Sequence, residues 1–421
     1  MTQPVETETT ATNGEPRPLK FMFFPQGFGL AHVGRCVEIA KTLRERGHEV
    51  VFGGVSTSDP RSKLNQAEVQ GFRVLEVKEP YQPYAWDRFH DYGILIALWD
   101  VLNSHKWAPL DEILEDIIRV CEEEQPDLIL GDASVGVSPA GHILGIPAAG
   151  VFNAYNTHFV RPWSFFNFLI HGAELLHFGR LRGRVYRKRG RKPVNGIQLL
   201  RETPLLSPDL PAFHKSHDDF PLWQSIGPIL YEPPSTLPDW YDELDDGTTN
   251  IYITMGSTGL LEPLLRNCYD ALGKSDYRFV VTTAGQVSEE GMAMAPDNFR
   301  FATYAPGLAI MEHCAAVVHH GGNGSMYQAL AAGKPMLALP GHLEQQLCSA
   351  YMLEHEFGLK GVPRRMKGAE MLAVLDTLIN DPRYGENARR FQAEVTAGGA
   401  TERAADILEA HARQHKSPTT S

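Results

Sequence analysis

Apolar residues along this chain fall into short continuous runs separated by stretches of helical period, and the alternation occurs twice. Lys20 to Pro25 is an apolar run, a glycine-containing loop then reaches His32, and Val33 to Arg46 places Val33, Val37, Ala40 and Leu43 on one face before Gly47 stops it. Glu49 to Gly53 and Phe72 to Val77 read as the next strands. A helical pattern over Leu110 to Glu124 precedes a strand at Asp127 to Leu130, and Gly145-Ile146-Pro147 leads into another at Ala148 to Phe152. Strands alternating with helices predict a parallel sheet with helices on its faces. The alternation stops across residues 155 to 220, and Pro228 to Asn250, rich in Pro, Asp and Thr without hydrophobic period, reads as a linker.

A second α/β pattern follows. Asn250 to Thr254 is its first strand, Met255-Gly256-Ser257 its first turn, Pro263 to Leu272 a helix, and Phe279 to Thr283 and Phe299 to Ala302 are further strands. The densest signal is Ala315 to Gln346. An apolar run, Ala315 to His319, ends in His319-His320; Gly321, Gly322 and Gly324 allow a tight turn and close backbone approach to a ligand; Ser325 to Ala332 is helix-forming, with Gly333 as its stop. Unpaired N–H groups around Gly324 and Ser325 would face an anion at the positive end of the helix, which suits a phosphate. A second strand, Pro335 to Pro340, delivers Glu344 and Gln345 to the same carboxyl edge, where hydrogen-bonding side chains suit sugar hydroxyls. No repeat at solenoid periods is visible.

These residues resemble the donor-binding signature of GT-B glycosyltransferases of the UDP-sugar-dependent type, the group that includes plant and bacterial small-molecule glucosyltransferases (family 1, the UGT-like bacterial MGT type) and, more distantly, MurG-like lipid enzymes. In that family a histidine followed by a Gly/Asn/Ser turn holds the diphosphate, and an acidic residue followed by glutamine holds the sugar. His320, Gly322, Asn323, Gly324 and Ser325, then Glu344 and Gln345, stand in those places. Ser257 matches a Gly-Ser phosphate contact, and Tyr304-Ala305-Pro306-Gly307 occupies the base-stacking segment with Gly307 where the family has glutamine. Gln328 stands where the plant-type pattern has a ribose-binding glutamate, and Asn323 where it has tryptophan. Nucleoside contacts are therefore expected at Tyr304, Ala305 and Gln328, with a UDP-sugar as co-substrate and no other cofactor.

The resemblance implies two Rossmann-like, doubly wound parallel-sheet domains facing a cleft. It divides the chain into a disordered leader at 1–18, an acceptor-binding domain at 19–232, a linker at 233–249, a nucleotide-sugar domain at 250–400, a helix at 401–412 returning to the first domain, and a tail at 413–421. Glycosyl transfer to a hydroxyl needs a base for the acceptor proton, most commonly histidine. His32 is expected at the carboxyl edge of the first sheet, with Asp132, two residues past its strand, fixing the far imidazole nitrogen. Where the family pattern is Gly-His-x-x-Pro, this chain reads Ala31-His32-Val33-Gly34-Arg35. Direct displacement implies inversion at the anomeric carbon.

Length and composition are consistent with this picture. With 421 residues, 43% hydrophobic and 21% charged, the chain can form two soluble domains, each burying its own core. A net charge of -12 argues against general nucleic-acid binding. Five scattered cysteines without a CxxC pair fit a reducing compartment, and no secretion signal or uninterrupted membrane-length apolar run is present, so a cytoplasmic location is expected. His313, His319, His320 and His342 cluster in sequence, but neighbours on a strand point to opposite faces, so no metal site is assigned.

The segment 163–192 joins an aromatic block, with Trp163, Phe165, Phe166 and Phe168, to a run of cations from Arg180 to Lys192. That pattern suits an acceptor pocket wall beside a solvated helix face, or peripheral contact with the inner membrane surface. Either way it suggests a lipophilic small-molecule or lipid acceptor. Two other readings stand beside the transferase: a non-hydrolysing UDP-sugar 2-epimerase, which needs no acceptor pocket, and a catalytically silent partner protein, which has no use for His32 and Asp132.

Overall fold

The structure, a computed structural model, describes residues 17–78, 109–134, 136–154, 179–213, 220–256, 258–341 and 343–415. Its first half carries strands β1 (Lys20–Pro25), β2 (Glu49–Gly54), β3 (Arg73–Glu76), β4 (Leu128–Asp132), β5 (Ala148–Val151), β6 (Leu205–Ser207) and β7 (Trp223–Ser225) in one parallel sheet, ordered β3-β2-β1-β4-β5-β6-β7. The helices between them are α1 (Leu30–Glu45), α2 (Asn65–Val69), α3 (Leu110–Glu124), α4 (Val137–Leu144), α5 (Gly179–Lys188) and α6 (Gly196–Glu202). β6 and β7 were not apparent in the sequence, because three-residue strands are too short to show a period.

The second half repeats the plan. Strands β8 (Asn250–Thr254), β9 (Arg278–Thr282), β10 (Phe299–Ala302), β11 (Cys314–His319), β12 (Met336–Ala338) and β13 (Gly358–Lys360) are all parallel, ordered β10-β9-β8-β11-β12-β13. Its helices are α7 (Leu261–Leu272), α8 (Glu289–Ala293), α9 (Gly307–Glu312), α10 (Asn323–Ala331), α11 (Leu343–Glu354), α12 (Gly368–Asn380), α13 (Pro382–Thr396) and α14 (Ala400–Gln414). The two halves match the expected pair of doubly wound parallel sheets.

Each sheet reverses its strand order once, between β1 and β4 in the first and between β8 and β11 in the second. Loops leaving adjacent strands at such a point diverge to opposite faces and leave a crevice at the carboxyl ends. In the first sheet Pro25 lies beside Asp132, and in the second Thr254 lies beside His319. The fold therefore puts the two most chemically suggestive sequence segments at the two crevices.

Packing holds these edges in place. Val33, Val37, Ala40 and Leu43 of α1 are buried over Phe21, Phe23 and Phe52, and Ala404, Ala405, Leu408 and Ala412 of α14 join the same cluster. The last helix thus closes the core of the first sheet, reinforced by Arg46 pairing with Asp406 and Glu409 at 2.7 and 2.9 Å. Truncating the fully buried Leu408 to alanine would cost about 2–5 kcal/mol by cavity formation.

Candidate active site

β4 ends two residues later than the sequence suggests, so Asp132 is the strand's last residue rather than a loop residue beyond it. Gly131 lies inside the strand, where a Cβ would press on Val137 at 3.0 Å. The chain turns away immediately afterwards through Ala133 in the left-handed region, φ 54°. Helix α1 starts at Leu30 rather than Val33, which places His32 in its first turn at the same edge. The Nδ1–H of His32 reaches Asp132 Oδ1 at 2.7 Å, and Asp132 is wholly buried. With Nδ1 committed to the carboxylate, Nε2 is the nitrogen able to receive a proton.

Arg35 sits one helical turn beyond His32 and completes the arrangement. Its guanidinium forks onto the carboxylate, Nε to Oδ2 and Nη2 to Oδ1, while Nη1 donates to Asn153 Oδ1 at 2.7 Å. Burial alone would push the Asp132 carboxyl up, but the adjacent Arg35 and His32 outweigh it and hold it below the usual carboxylate range. The Arg35 that departs from the family pattern is thus the fixed counter-charge of Asp132. Sequence reading missed it, although its spacing of three from His32 on a helix was a usable signal.

The second edge is built from backbone. Helix α10 begins at Asn323, two residues earlier than expected, with Gly322 as an extended N-cap (φ -74°, ψ 151°). Gly321 has φ +79°, and a Cβ on Gly322 would overlap the His320 ring, so this turn requires glycine at both positions. The same ring lies 2.9 Å from where a Cβ on Gly256 would stand, which sets the first turn of the second half beside His320. His319 points inward. Its Nδ1 accepts the Gly321 N–H at 3.2 Å, and burial, then the neighbouring His320, push its pKa down to about 3, so it is neutral. The first-turn N–H groups of Asn323, Gly324 and Ser325 have no partners within their own helix and mark an anion site.

The two edges face each other: a Cβ built on Gly324 would stand 3.9 Å from the Ala31 Cβ, next to His32. The expected base and the expected anion cradle therefore face one cleft.

Comparison with known proteins agrees with the fold. Residues 266–410 match the family model described as Erythromycin biosynthesis protein CIII-like, C-terminal domain. A PGL/p-HBAD biosynthesis glycosyltransferase of Mycobacterium tuberculosis is 25% identical over 91% of each chain. A PGL/p-HBAD biosynthesis rhamnosyltransferase of Mycobacterium bovis is 26% identical over 89% of this chain and 84% of its own. The crystal structure of the glycosyltransferase VinC in complex with dTDP superposes with a TM-score of 0.71 at 19% identity, covering 94% of this chain and 100% of that one. The chain has the two-domain fold of the GT-B glycosyltransferases.

The remaining expected donor contacts are placed as follows. Tyr304 is 52% exposed and is not part of the core. Ala305 packs against the second-half core, and Glu232, from the linker side, accepts the Leu308 N–H at 2.8 Å and so caps α9 behind that segment. Gln328 donates to the Tyr231 carbonyl at 3.2 Å. Glu344 and Gln345 lie in the first turn of α11, and Gln345 Oε1 accepts the Gly341 N–H at 2.7 Å. The side-chain amide of Asn323 is turned to Asp209 at 2.9 Å, so at this position the backbone, not the side chain, faces the anion site. Ser257 and the aromatic candidates Trp163, Phe165, Phe166 and Phe168 lie outside the described residues.

The basic run is paired more than its sequence suggests. Arg184 meets Asp111 at 3.3 Å, Lys188 meets Glu115 at 2.8 Å, Arg189 pairs with Glu115 and Glu122, and Arg182 is buried with its Nε on the Val194 carbonyl. The acidic face of α3 thus neutralises much of α5. No helix among the described residues is long and apolar enough to cross a membrane. Among the described residues, no group of three or more His, Cys, Asp or Glu side chains is placed to hold a metal ion.

Proposed function

We propose that this protein is an inverting, metal-independent glycosyltransferase. It moves a sugar from a pyrimidine nucleoside diphosphate to a hydroxyl of a small lipophilic acceptor. The observation that carries the reading is the His32–Asp132–Arg35 cluster at one crevice, facing the glycine turn and helix start of the other. His32 Nε2 takes the acceptor proton as the oxygen attacks the anomeric carbon, and Asp132 holds the ring and stabilises the imidazolium. The bond to the β-phosphate oxygen breaks on the opposite side of that carbon, and the departing diphosphate is stabilised by His320 and the N–H groups opening α10. Glu344 and Gln345 hold the sugar. Since these groups supply the positive potential, the reaction needs no metal.

Both uridine and thymidine donors fit. The glutamate that would select a ribose hydroxyl is replaced by Gln328, whose amide is held by a backbone carbonyl, and VinC was crystallised with dTDP. The relatives named for PGL/p-HBAD biosynthesis, and 4'-demethylrebeccamycin synthase of Lentzea aerocolonigenes at 23% identity, support an acceptor of the natural-product or glycolipid kind. The test incubates the protein and its His32→Ala variant with UDP- and dTDP-hexoses, chelator present, and a lipid-plus-metabolite extract, followed by mass spectrometry. A hexose mass gain that requires His32 is expected. Donor isomerisation without an acceptor would point instead to an epimerase, and no turnover with any donor to a silent partner.

A further inference from the structure

Asp209 lies two residues past β6, in a stretch where the sequence shows no motif, and it is wholly buried. Its carboxylate collects donors from both halves of the molecule. From the first half, Oδ2 accepts the Ala154 N–H at 2.7 Å and the Asn153 amide at 3.2 Å. From the second half, Oδ1 accepts the Asn323 amide at 2.9 Å and the Tyr327 hydroxyl at 3.1 Å. Asn323 and Tyr327 are four apart on α10 and therefore share one face of it. Tyr327 also accepts the Leu210 N–H at 3.0 Å, and Phe213 just beyond stacks on Tyr327 and Tyr351 with ring centroids 6.1 and 5.1 Å apart.

A dry carboxylate is costly to bury, and a contact that only glued two domains together would be served as well by apolar groups. What the carboxylate holds here is the first turn and a half of the helix whose N-terminus forms the anion cradle. It also draws the Asn323 amide aside and leaves the backbone N–H groups facing the cleft. Its other neighbour, Asn153, is hydrogen-bonded to Arg35, which grips Asp132. We propose that Asp209 is a positioning residue for the donor: from the acceptor-domain side it fixes the orientation of α10 at the diphosphate. This rests on the donor site proposed above.

The test is calorimetric titration of the full-length protein with UDP and with dTDP, each variant's unfolding midpoint being recorded in parallel. Asp209→Asn is expected to weaken binding about tenfold and Tyr327→Phe, which keeps the ring stack, about threefold, the sizes of one charged and one neutral hydrogen bond. The double variant should lose less than the product of the two, because both act through one contact. Should Asp209→Asn fail to fold, Tyr327→Phe still decides. Unchanged dissociation constants in the folded variants, with or without a lowered midpoint, overturn the positioning role while His320→Ala still abolishes binding. Full binding by His320→Ala, or none of either nucleotide by the unaltered protein, overturns the donor site itself.

Discussion

The two crevices solve the same problem by opposite means. At the first, the proposed chemistry rests on side chains: the buried pair Arg35–Asp132 holds the imidazole of His32. At the second, the ligand-facing groups are mostly backbone N–H, and the side chains that matter are absent ones, because Gly321 and Gly322 must lack a Cβ. Charge is needed where a proton changes hands. A multiply charged diphosphate that is only bound and released is better met by rigid dipoles, which need no rearrangement when it departs. The first edge should therefore fail when a charge is removed, and the second when volume is added.

Four substitutions break or sharpen this contrast. His32→Ala should lower kcat by about 10²–10⁴-fold with little change in affinity for UDP or dTDP, as read from steady-state rates beside titration. Arg35→Met should destabilise the fold by about 3–5 kcal/mol, because it strands the buried Asp132 carboxylate; urea denaturation measures this, and Arg35→Lys should lie between. Gly322→Ala should cost about 1–3 kcal/mol by forcing a methyl against the His320 ring, and should weaken nucleotide binding while leaving the His32 edge intact.

The pH-dependent effect concerns His319. Its depressed pKa means that the unfolded chain binds a proton that the folded chain refuses. Stability therefore falls as pH drops below the ordinary value of 6.5 and continues to fall to about 3. His319→Asn, which keeps an acceptor for the Gly321 N–H, should reduce the slope of stability against pH between 6 and 4 by about 1.4 kcal/mol per unit, and denaturation at several pH values will show it.

Much of the fold was legible because both halves obey one simple pattern. Strands β1, β8 and β10 and helix α3 fall on the same residues in sequence and structure. Two glycines lie inside elements rather than between them: Gly131 in β4, where packing against Val137 leaves little room for a Cβ, and Gly324 in the first turn of α10. At the site, histidine, aspartate and the glycine turn carry their chemistry in the residue type, so pattern alone reached them. Asp209, Asn153 and Tyr327 are placed through neighbours between 55 and 118 positions away, and no local period encodes such a meeting. Arg35 lies between these cases. Its separation of three from His32 was visible, but its partners Asp132 and Asn153 were not.

The central claim, a histidine-activated hydroxyl displacing a diphosphate directly, is tested most simply by the anomeric configuration of the product. An α-linked nucleotide sugar should be supplied with chelator present, and the anomeric proton of the purified glycoside read by NMR. The account predicts a β-glycoside. An α-glycoside would contradict it, because retention requires a different mechanism from displacement by the oxygen that His32 deprotonates.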